Sequence, residues 1–319
     1  MVNELHGSRA GSQAAADRVQ PDLAELYVTY KSYAFAIAYR MLGTVADAED
    51  IVQDCFAELQ QQERDGIVNM KAYLARSVTN RCLNLLQSAH SRRETYIGEW
   101  LPEPMSGHAD GPEEAAERRE LLSFAFLVLL EKLSPVERAV FVLREAFQYE
   151  YAEIAGMVGK SESNCRQIFS RVKRTLQREP GQAQPQARAA QRTGLLQRFT
   201  AAFAAYDVSG MLELLAEQPV LVSDGGGREV HTILRPMAGK RGVLALLTSR
   251  RVLSRMREWE ASIEPVNGEE QLVFRQNGTV KGVLCIFAGR GGETIDKLYL
   301  ILGPEKLGYI ADVMQDSHT

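Results

Sequence analysis

The segment AYRMLGTVADAEDIVQDCF, residues 38–56, contains the most informative pattern in this chain of 319 residues. Gly43 and Thr44 interrupt an apolar helical period, and a second helix is predicted from Ala46 onward. At 100° per residue, one side of that second helix is apolar, with Ala48, Ile51, Val52, Cys55, Phe56 and Leu59. The opposite side is a narrow acidic stripe of Asp47, Asp50, Asp54 and Glu58. Like charges four residues apart weaken a helix, so the stripe is either a solvated face or a surface for a basic partner.

The rest of the chain divides by composition into helical and strand-like parts. Before the acidic helix, Leu23, Leu26, Tyr30, Tyr33, Ile37 and Met41 recur at helical spacing. A polar stretch with Pro and Gly occupies residues 100–112, and helical character then continues to about residue 177. A linker rich in Gln, Ala, Pro and Gly covers 179–194. Beyond it, helices are predicted at 195–206 and 211–217 and strands at 220–223, 271–275, 282–288 and 297–302. The sequence therefore predicts two all-α domains followed by one α+β domain.

Composition excludes several classes of protein. Hydrophobic residues make up 45% and charged residues 24% of the chain, which is ordinary for a folded protein and excludes wholesale disorder. No apolar run reaches the roughly 18–20 residues that a membrane span requires, and residues 1–18 contain no apolar signal segment. The four cysteines are far apart, which favours buried thiols in a reducing compartment. We expect a cytoplasmic protein without a membrane contact, a metal site or a cofactor.

The charge is unevenly distributed along the chain. The net charge of −4 argues against a nucleic-acid binder when the chain is taken as a whole. Residues 66–93, however, contain five Lys or Arg residues and no acid, and residues 160–178 contain six against the single acid Glu162. Two basic islands in an acidic chain are either solvated helix faces or two separate nucleic-acid contacts.

Residues 38–56 resemble region 2 of the bacterial sigma-70 factors, and most closely the small extracytoplasmic-function (ECF) class. In that family this helix binds the β′ clamp helices of core RNA polymerase. By resemblance, the core-polymerase contacts are Asp47, Glu49, Asp50, Gln53 and Asp54. The match assigns residues 21–95 to sigma region 2 and 96–112 to a linker. A sigma factor is not an enzyme, so no catalytic residue is expected in these domains.

The first basic island, residues 70–94, matches the part of region 2 that melts the promoter and binds its minus-ten element. Apolar residues at helical spacing are assigned to the core, and seven polar residues remain for DNA: Lys71, Arg76, Asn80, Arg81, Asn84, Arg92 and Arg93. The preceding loop, residues 62–69, is expected to form the rim of a pocket for a flipped base. Tyr73 either stacks on a base or packs in the core.

The second basic island has the spacing of a helix-turn-helix. Ala155, Gly159 and Cys165 occupy the positions that need close helix crossing, a positive φ and a small apolar contact. Ser161 is a good N-cap for the second helix. Contacts to the minus-thirty-five element are expected from Asn164, Arg166, Gln167, Ser170, Arg171, Lys173 and Arg174. With residues 133–145 before it, the motif resembles sigma region 4, placed at 113–178, which would also bind the polymerase β flap.

Residues 195–315 resemble a SnoaL-like domain, a cone of curved sheet and helices. The resemblance rests on Phe199, Phe203, Met211, Leu214, Leu215 and residues 220–228. ECF factors with this fused domain form a recognised group, and three of its motifs have counterparts here at residues 96–104, 224–228 and 303–307, with Glu99 in place of a proline. The resemblance implies that the domain packs on the sigma domains and linker and regulates them in cis. The expected docking residues are Trp100, Leu101, Pro102, Asp224, Gly225, Gly226 and Gly227.

Three alternatives remain open from the sequence. An ordinary helix-turn-helix regulator would not need the acidic stripe. A cyclase or isomerase with a DNA-binding appendage would need a buried acid inside the cone, for which Asp224, His231 and Asp296 are the candidates. A small-molecule ligand in the cone, as in a sensor, is compatible with the sigma-factor interpretation.

Overall fold

The computed structural model describes residues 22–62, 66–93, 99–106, 123–177, 189–225, 235–249, 255–289 and 291–310. Of the helices in these ranges, none is long and apolar enough to cross a membrane. Gly226, Gly227 and His231, which the sequence analysis singled out, lie outside the described residues, as do the side chains of Arg92 and Arg93.

Three helices form the first domain: α1 (Leu23–Leu42), α2 (Val45–Gln61) and α3 (Met70–Arg93). Helix α1 begins at Asp22, whose carboxylate accepts a hydrogen bond from the Leu23 N–H, and ends at Gly43 with φ 72°. This left-handed residue turns the chain directly into α2. All six apolar residues that were assigned to the buried side of α2 are buried, so the predicted faces of this helix are confirmed.

In the described residues 123–177, the second domain has four helices: α4 (Phe124–Glu131), α5 (Pro135–Glu145), α6 (Tyr151–Val158) and α7 (Glu162–Gln177). Helix α5 starts with a capping box between Ser134 and Glu137 and has a proline in its first turn. Helix α4 is apolar on all sides, which is typical of a helix that is buried on more than one side. Its two sides belong to different cores: Phe126, Leu127, Leu129 and Leu130 pack with the sigma helices, and Phe124 packs with the C-terminal sheet.

The third domain combines helices with one mixed sheet. Helices α8 (Ala189–Ala204) and α9 (Val208–Leu214) precede β1 (Leu215–Asp224), β2 (Met237–Ala238) and α10 (Gly239–Leu247). Strands β3 (Glu260–Val266), β4 (Glu269–Gln276), β5 (Thr279–Ala288) and β6 (Ile295–Ile301) follow, and α11 (Pro304–Leu307) is the last helix described. The strand order is β2-β1-β6-β5-β4-β3, with β1 parallel to β6 and the other neighbours antiparallel.

The sheet buries both of its faces. The inner face, with Leu272, Phe274, Ile286 and Leu298, packs on α8, α9 and α10. The outer face, with Val273, Cys285, Tyr299 and Ile301, packs on Leu101 of the linker and Phe124 of α4. The α+β prediction is confirmed, and the domain is consistent with a SnoaL-like cone.

Several element boundaries in this domain differ from the prediction. Helix α8 begins at Ala189, inside the linker expected at 179–194. The helix expected at 211–217 ends at Leu214, and β1 begins at Leu215. Pro219 lies within β1, between Leu215 and Val220, where the register with β6 shifts, so the proline does not interrupt a regular ladder. Strand β3 was not predicted, because its charged residues interrupt the alternation of apolar and polar residues that indicates a strand. It lies at the edge of the sheet, where charged residues are common.

Candidate polymerase, DNA and linker-docking surfaces

The acidic side of α2 faces solvent. Asp47, Asp50, Gln53 and Asp54 are exposed, as their assignment to a partner surface requires. Glu49 is half-buried, because its carboxylate lies 3.5 Å from the Tyr309 hydroxyl of the C-terminal domain. The third domain therefore reaches the rim of the acidic surface without covering its other four residues.

The candidate minus-ten residues do not share one surface. Arg76, Asn80 and Asn84 are exposed at intervals of four residues and form one ridge of α3. Lys71 lies five residues before Arg76, about 140° around the helix from Arg76 and about 180° from Asn80 at the centre of that ridge. Its carbonyl accepts from the Tyr149 hydroxyl of the second domain at 3.3 Å. Arg81 is half-buried and pairs with Asp54 at 3.3 Å and Glu58 at 2.7 Å.

The loop before α3 is described at residues 62 and 66–69. The Asn69 side chain accepts a hydrogen bond from the Ala72 N–H at 3.1 Å and so caps α3. The Tyr73 hydroxyl donates to the Gln62 side chain at 2.9 Å, which ties the loop to the helix. Val68 is fully exposed, an unusual position for an apolar side chain beside a predicted base pocket.

The helix-turn-helix has the predicted local geometry. Gly159 has φ 65° and ends α6, and the Ser161 hydroxyl accepts from the Asn164 N–H at 3.2 Å. Cys165 is fully buried, together with Ile168 and Val172. The polar side of α7 is consequently turned to solvent.

All seven candidate minus-thirty-five residues are exposed on α7. Three of them are in ion pairs: Arg166 with Glu162, Arg171 with Glu137 at 2.6 Å, and Lys173 with Glu145 at 3.4 Å. Exposed pairs of this kind contribute little, about 0–1 kcal/mol, so they can be exchanged for phosphate contacts. The acidic partners hold these three cations on the exposed side of α7.

Residues 100–106, here called the docked linker, run between the first and third domains. The Leu101 N–H donates to the Asp224 carboxylate at 2.8 Å, and the Leu101 carbonyl accepts from the Lys306 ammonium at 2.5 Å. Lys306 and Asp224 also pair directly at 2.6 Å, with side chains that are 5% and 0% exposed. Both backbone groups of Leu101 are thus bonded to one buried ion pair.

Trp100 completes the contact from the side of the first domain. The Lys306 ammonium lies 4.2 Å from the centre of the Trp100 ring, close enough for a cation–π interaction. A Cβ at Gly43 would lie 3.0 Å from the Trp100 ring and 3.0 Å from the Glu131 carboxylate. Glycine is therefore needed at residue 43 for its positive φ and for this close approach. Of the glycines predicted to dock, Gly225 is described and is buried.

The second half of the docked linker joins the first domain to strand ends of the third. The Glu103 N–H donates to the Gly43 carbonyl at 2.8 Å, and the Glu103 carboxylate accepts from the Val45 N–H at 2.7 Å. The Tyr39 hydroxyl donates to the Glu103 carbonyl at 2.6 Å and accepts from the Asn267 side chain at 2.8 Å. A direct hydrogen-bond chain therefore connects α1 with the turn between β3 and β4.

Burial dominates the electrostatics of this contact. It raises the pKa of the Glu103 carboxyl, while the Val45 N–H and the Lys306 charge act in the opposite direction. Burial lowers the pKa of the Lys306 ammonium, and Asp224 opposes that change. Burial also raises the pKa of the Tyr39 hydroxyl, which stays protonated and can donate. Each charged group here is stabilised by a specific partner and not by water.

Four residues of the contact had no predicted role: Tyr39, Glu103, Asn267 and Lys306. Lys306 lies in the motif at 303–307 and Glu103 lies in the linker motif, so the signal for both was present in the sequence. Asn267 has φ 52° and begins a turn, and nothing in its neighbourhood in the sequence points to a partner 228 residues away.

These features define the class of the protein. An exposed acidic helix, a polar ridge on the following helix and a separate helix-turn-helix are the parts of a sigma-70-type transcription initiation factor. Two family models agree, because Sigma-70 region 2 matches residues 26–92 and Sigma-70, region 4 matches residues 123–176.

Comparison with known proteins identifies the family. The chain is 34% identical over 220 residues to the ECF RNA polymerase sigma factor SigJ of Mycobacterium tuberculosis, covering 68% of this chain and 69% of SigJ. It is 27% identical to the probable ECF sigma factor SigI of that species, over 87% of this chain and 92% of SigI. The crystal structure of M. tuberculosis SigJ superposes with a TM-score of 0.69 at 28% identity, over 90% of this chain and 98% of that one. The chain belongs to the ECF RNA polymerase sigma factors, of the SigJ type, and is a non-enzymatic factor for transcription initiation.

Proposed function

We propose that the C-terminal domain regulates this sigma factor in cis through the docked linker. The observation that supports the proposal is the bonding of Leu101 to the buried Asp224–Lys306 pair, while Glu103 is bonded to the first domain. Any movement of the C-terminal domain relative to the first domain then changes the position of the linker that connects regions 2 and 4. In region 4, α4 is also shared with the C-terminal sheet.

The polymerase and promoter contacts follow from exposure and charge. The acidic surface of α2 binds the β′ clamp helices through Asp47, Asp50, Gln53 and Asp54, with Glu49 at its edge. The ridge Arg76, Asn80 and Asn84 binds the minus-ten element, and the exposed side of α7 binds the minus-thirty-five element. Region 4 also binds the β flap, and the protein acts in the cytoplasm, where polymerase and DNA are found.

An enzymatic or sensory C-terminal domain is disfavoured by the positions of its polar groups. Asp224 is buried, but it pairs in register with Ile301 and so belongs to the outer face of the sheet, towards the linker. The inner face is packed with apolar side chains, among them Phe199, Phe203 and Phe274. A catalytic acid or a polar ligand would need polar partners on that inner face.

Reconstituted transcription with core polymerase tests the regulation. Lys306→Met removes the donor to Leu101 and Asp224, and Lys240→Met makes the same change in an exposed pair of the same domain, 2.9 Å from Glu217. We expect Lys306→Met to change the transcript yield at least about tenfold, since breaking this buried pair costs about 3–5 kcal/mol, and Lys240→Met to leave the yield unchanged. Equal yields from the two variants would contradict regulation through this contact.

A second comparison tests the polymerase surface. Asp50→Ala removes an exposed charge from the acidic stripe, and Glu213→Ala removes an exposed charge from α9 of the C-terminal domain. Binding to core polymerase should weaken for Asp50→Ala and not for Glu213→Ala, and the difference should shrink at high salt. Equal affinities would exclude Asp50 from the interface.

A further inference from the structure

Two rows of residues, each with a spacing of four, run along adjacent sides of α3. The exposed row is the proposed DNA ridge, with Arg76, Asn80 and Asn84. The second row is half-buried and is called the α2-facing row below; it consists of Tyr73, Ser77 and Arg81. Each step of one residue corresponds to about 100° around a helix, so Arg81 lies about 100° from Asn80. Arg81 and the DNA ridge are therefore on different sides of the helix.

The first two residues of the α2-facing row bond to α2 and to the residue that ends it. The Tyr73 hydroxyl donates to the side-chain oxygen of Gln62, the C-cap of α2, at 2.9 Å. One turn later, the Ser77 hydroxyl donates to the Cys55 sulfur at 3.4 Å. Since Arg81 lies one further turn along the same row, its side chain is also directed at α2.

Arg81 bonds to two carboxylates of α2 at once. Its Nη2 atom donates to the Glu58 carboxylate at 2.7 Å, and its Nη1 atom donates to the Asp54 carboxylate at 3.3 Å. Asp54 and Glu58 are four residues apart, so they share one side of α2. The other carboxylate oxygen of Glu58 accepts from the Gln62 side-chain nitrogen at 3.0 Å. Glu58 is thus held from two directions, and it anchors the guanidinium that reaches Asp54.

Exposure indicates which of these groups a binding partner can reach. The Asp54 side chain is 66% exposed, the Glu58 side chain 40% and the Arg81 side chain 32%. A partner therefore meets the Asp54 carboxylate first, whereas Arg81 would have to leave two carboxylates to reach a phosphate group. Asp50 lies four residues before Asp54, and like charges at this spacing repel each other. The Arg81 charge offsets this repulsion and restricts the orientations of the Asp54 carboxylate.

We propose that Arg81 is a positioning residue for the binding of core polymerase and not a DNA contact. Anchored by Glu58, it holds the Asp54 carboxylate in one orientation before the basic partner binds, so less side-chain entropy is lost on binding. On α3, the minus-ten contacts are then supplied by the exposed ridge. This inference rests on the proposed polymerase surface and adds the residues that support Asp54 within it.

Exchange of arginine for lysine tests the positioning without a change in net charge. Arg81→Lys keeps the positive charge and loses the planar fork that donates to two carboxylates. Arg198→Lys makes the same exchange at an exposed residue of α8 in the C-terminal domain and is the matched control. The affinity of the full-length chain for core polymerase should fall about threefold for Arg81→Lys and stay unchanged for Arg198→Lys. Equal affinities of the two variants would overturn the positioning role.

The dependence on Asp54 separates positioning from a general stabilisation of region 2. If Arg81 acts through Asp54, Arg81→Lys should not weaken core binding any further in a chain that already carries Asp54→Ala. A loss for Arg81→Lys that is as large in the Asp54→Ala chain as in the wild-type chain would reject positioning through this carboxylate.

Asp50→Ala, measured beside Glu213→Ala, distinguishes failure of the proposed polymerase surface from failure of this inference. Equal core affinities of those two variants reject the surface and the role of Arg81 with it. Weaker binding of Asp50→Ala together with unchanged binding of Arg81→Lys rejects the role of Arg81 alone.

Promoter binding tests the assignment of Arg81 away from DNA. The affinity for promoter DNA is measured with holoenzyme formed at saturating core polymerase, so that weaker core binding does not affect the result. Arg81→Met should bind the promoter as the wild-type chain does, and Arg76→Met should bind it more weakly, because Arg76 lies on the exposed ridge. A loss for Arg81→Met as large as that for Arg76→Met would assign Arg81 to the DNA surface and overturn the proposal.

Discussion

Removal of the Lys306 ammonium should release the docked linker, and the size of the effect can be worked out from the burial of its partner. Lys306→Met removes the cationic partner of the fully buried Asp224 carboxylate, which still accepts from the Leu101 N–H. Breaking a buried ion pair by removing one partner costs about 3–5 kcal/mol, because a charge is left without compensation. The same chemical change in the exposed Lys240–Glu217 pair should cost about 0–1 kcal/mol.

Hydrogen exchange at the Leu101 amide is the most direct assay, because this N–H donates to Asp224 in the docked state. A global unfolding curve averages this local effect over several domains, so exchange at a single amide reports it more directly. A loss of 3–5 kcal/mol corresponds to exchange that is faster by roughly a hundredfold or more at residues 99–106, since 1.36 kcal/mol is a factor of ten. Lys240→Met should leave exchange in this segment unchanged.

A double variant separates charge from packing. Asp224→Asn combined with Lys306→Met leaves no buried charge, and the Asn side-chain oxygen can still accept from Leu101. The double variant should therefore exchange more slowly at Leu101 than Lys306→Met alone, as expected for strongly coupled residues. Two results would refute the assignment of the pair as the anchor of the linker: exchange at Leu101 in Lys306→Met that is as slow as in Lys240→Met, or exchange in the double variant that is as fast as in Lys306→Met alone.

Three further outcomes are expected. Glu103→Gln should flatten the pH dependence of thermal unfolding. Burial raises the pKa of the Glu103 carboxyl above its ordinary value of 4.5 in the folded chain. The contribution of this carboxyl to stability is therefore complete below pH 4.5 and is lost as the pH rises through the pKa of the folded chain. An unchanged slope would contradict the burial of this carboxyl. Gly159→Ala should destabilise region 4 by about 1 kcal/mol through backbone strain alone, because Gly159 has φ 65° and no atom lies within 4 Å of the new Cβ. The control is Gly156→Ala, since a Cβ at Gly156 inside α6 also has no atom within 4 Å. Circular-dichroism melts compare the two variants. Trp100→Ala should alter promoter-dependent transcription while binding to core polymerase through α2 is kept, and unaltered transcription would count against linker docking.

Local pattern was sufficient for the helices that carry the candidate surfaces. The buried side of α2 follows from the helical period, because its six apolar residues lie on one side of the helix and are buried together. The turn at Gly159 and the cap at Ser161 are decided within a few residues, and both are present. The same period, counted from Arg76, would have separated Lys71 from the DNA ridge, so that signal was available in the sequence.

Contacts between domains could not be predicted in the same way. The Asp224–Lys306 pair joins β1 to α11 across 82 residues. Its role in holding the linker follows only from the folded chain, where both backbone groups of Leu101 are bonded to the pair. Tyr39 has the spacing of an ordinary core aromatic residue. The hydrogen bonds of its hydroxyl group to the Glu103 carbonyl and the Asn267 side chain form only in the folded chain. The apolar character of α4 is typical of a buried helix, but it does not indicate that two different cores share the helix.

The composition of the docked linker explains why this segment can join two domains. Leu101, Glu103 and Met105 each donate their backbone N–H, to Asp224, Gly43 and Asn267 respectively. The alternating positions 102 and 104 are prolines, which have no N–H to satisfy. Bonding alternates as well, since Leu101 and Met105 bind the C-terminal domain and Glu103 binds region 2. An extended segment bonded in this way is held by both domains within five residues, so the regulation proposed above would reach region 2 through the backbone of residues 101–105.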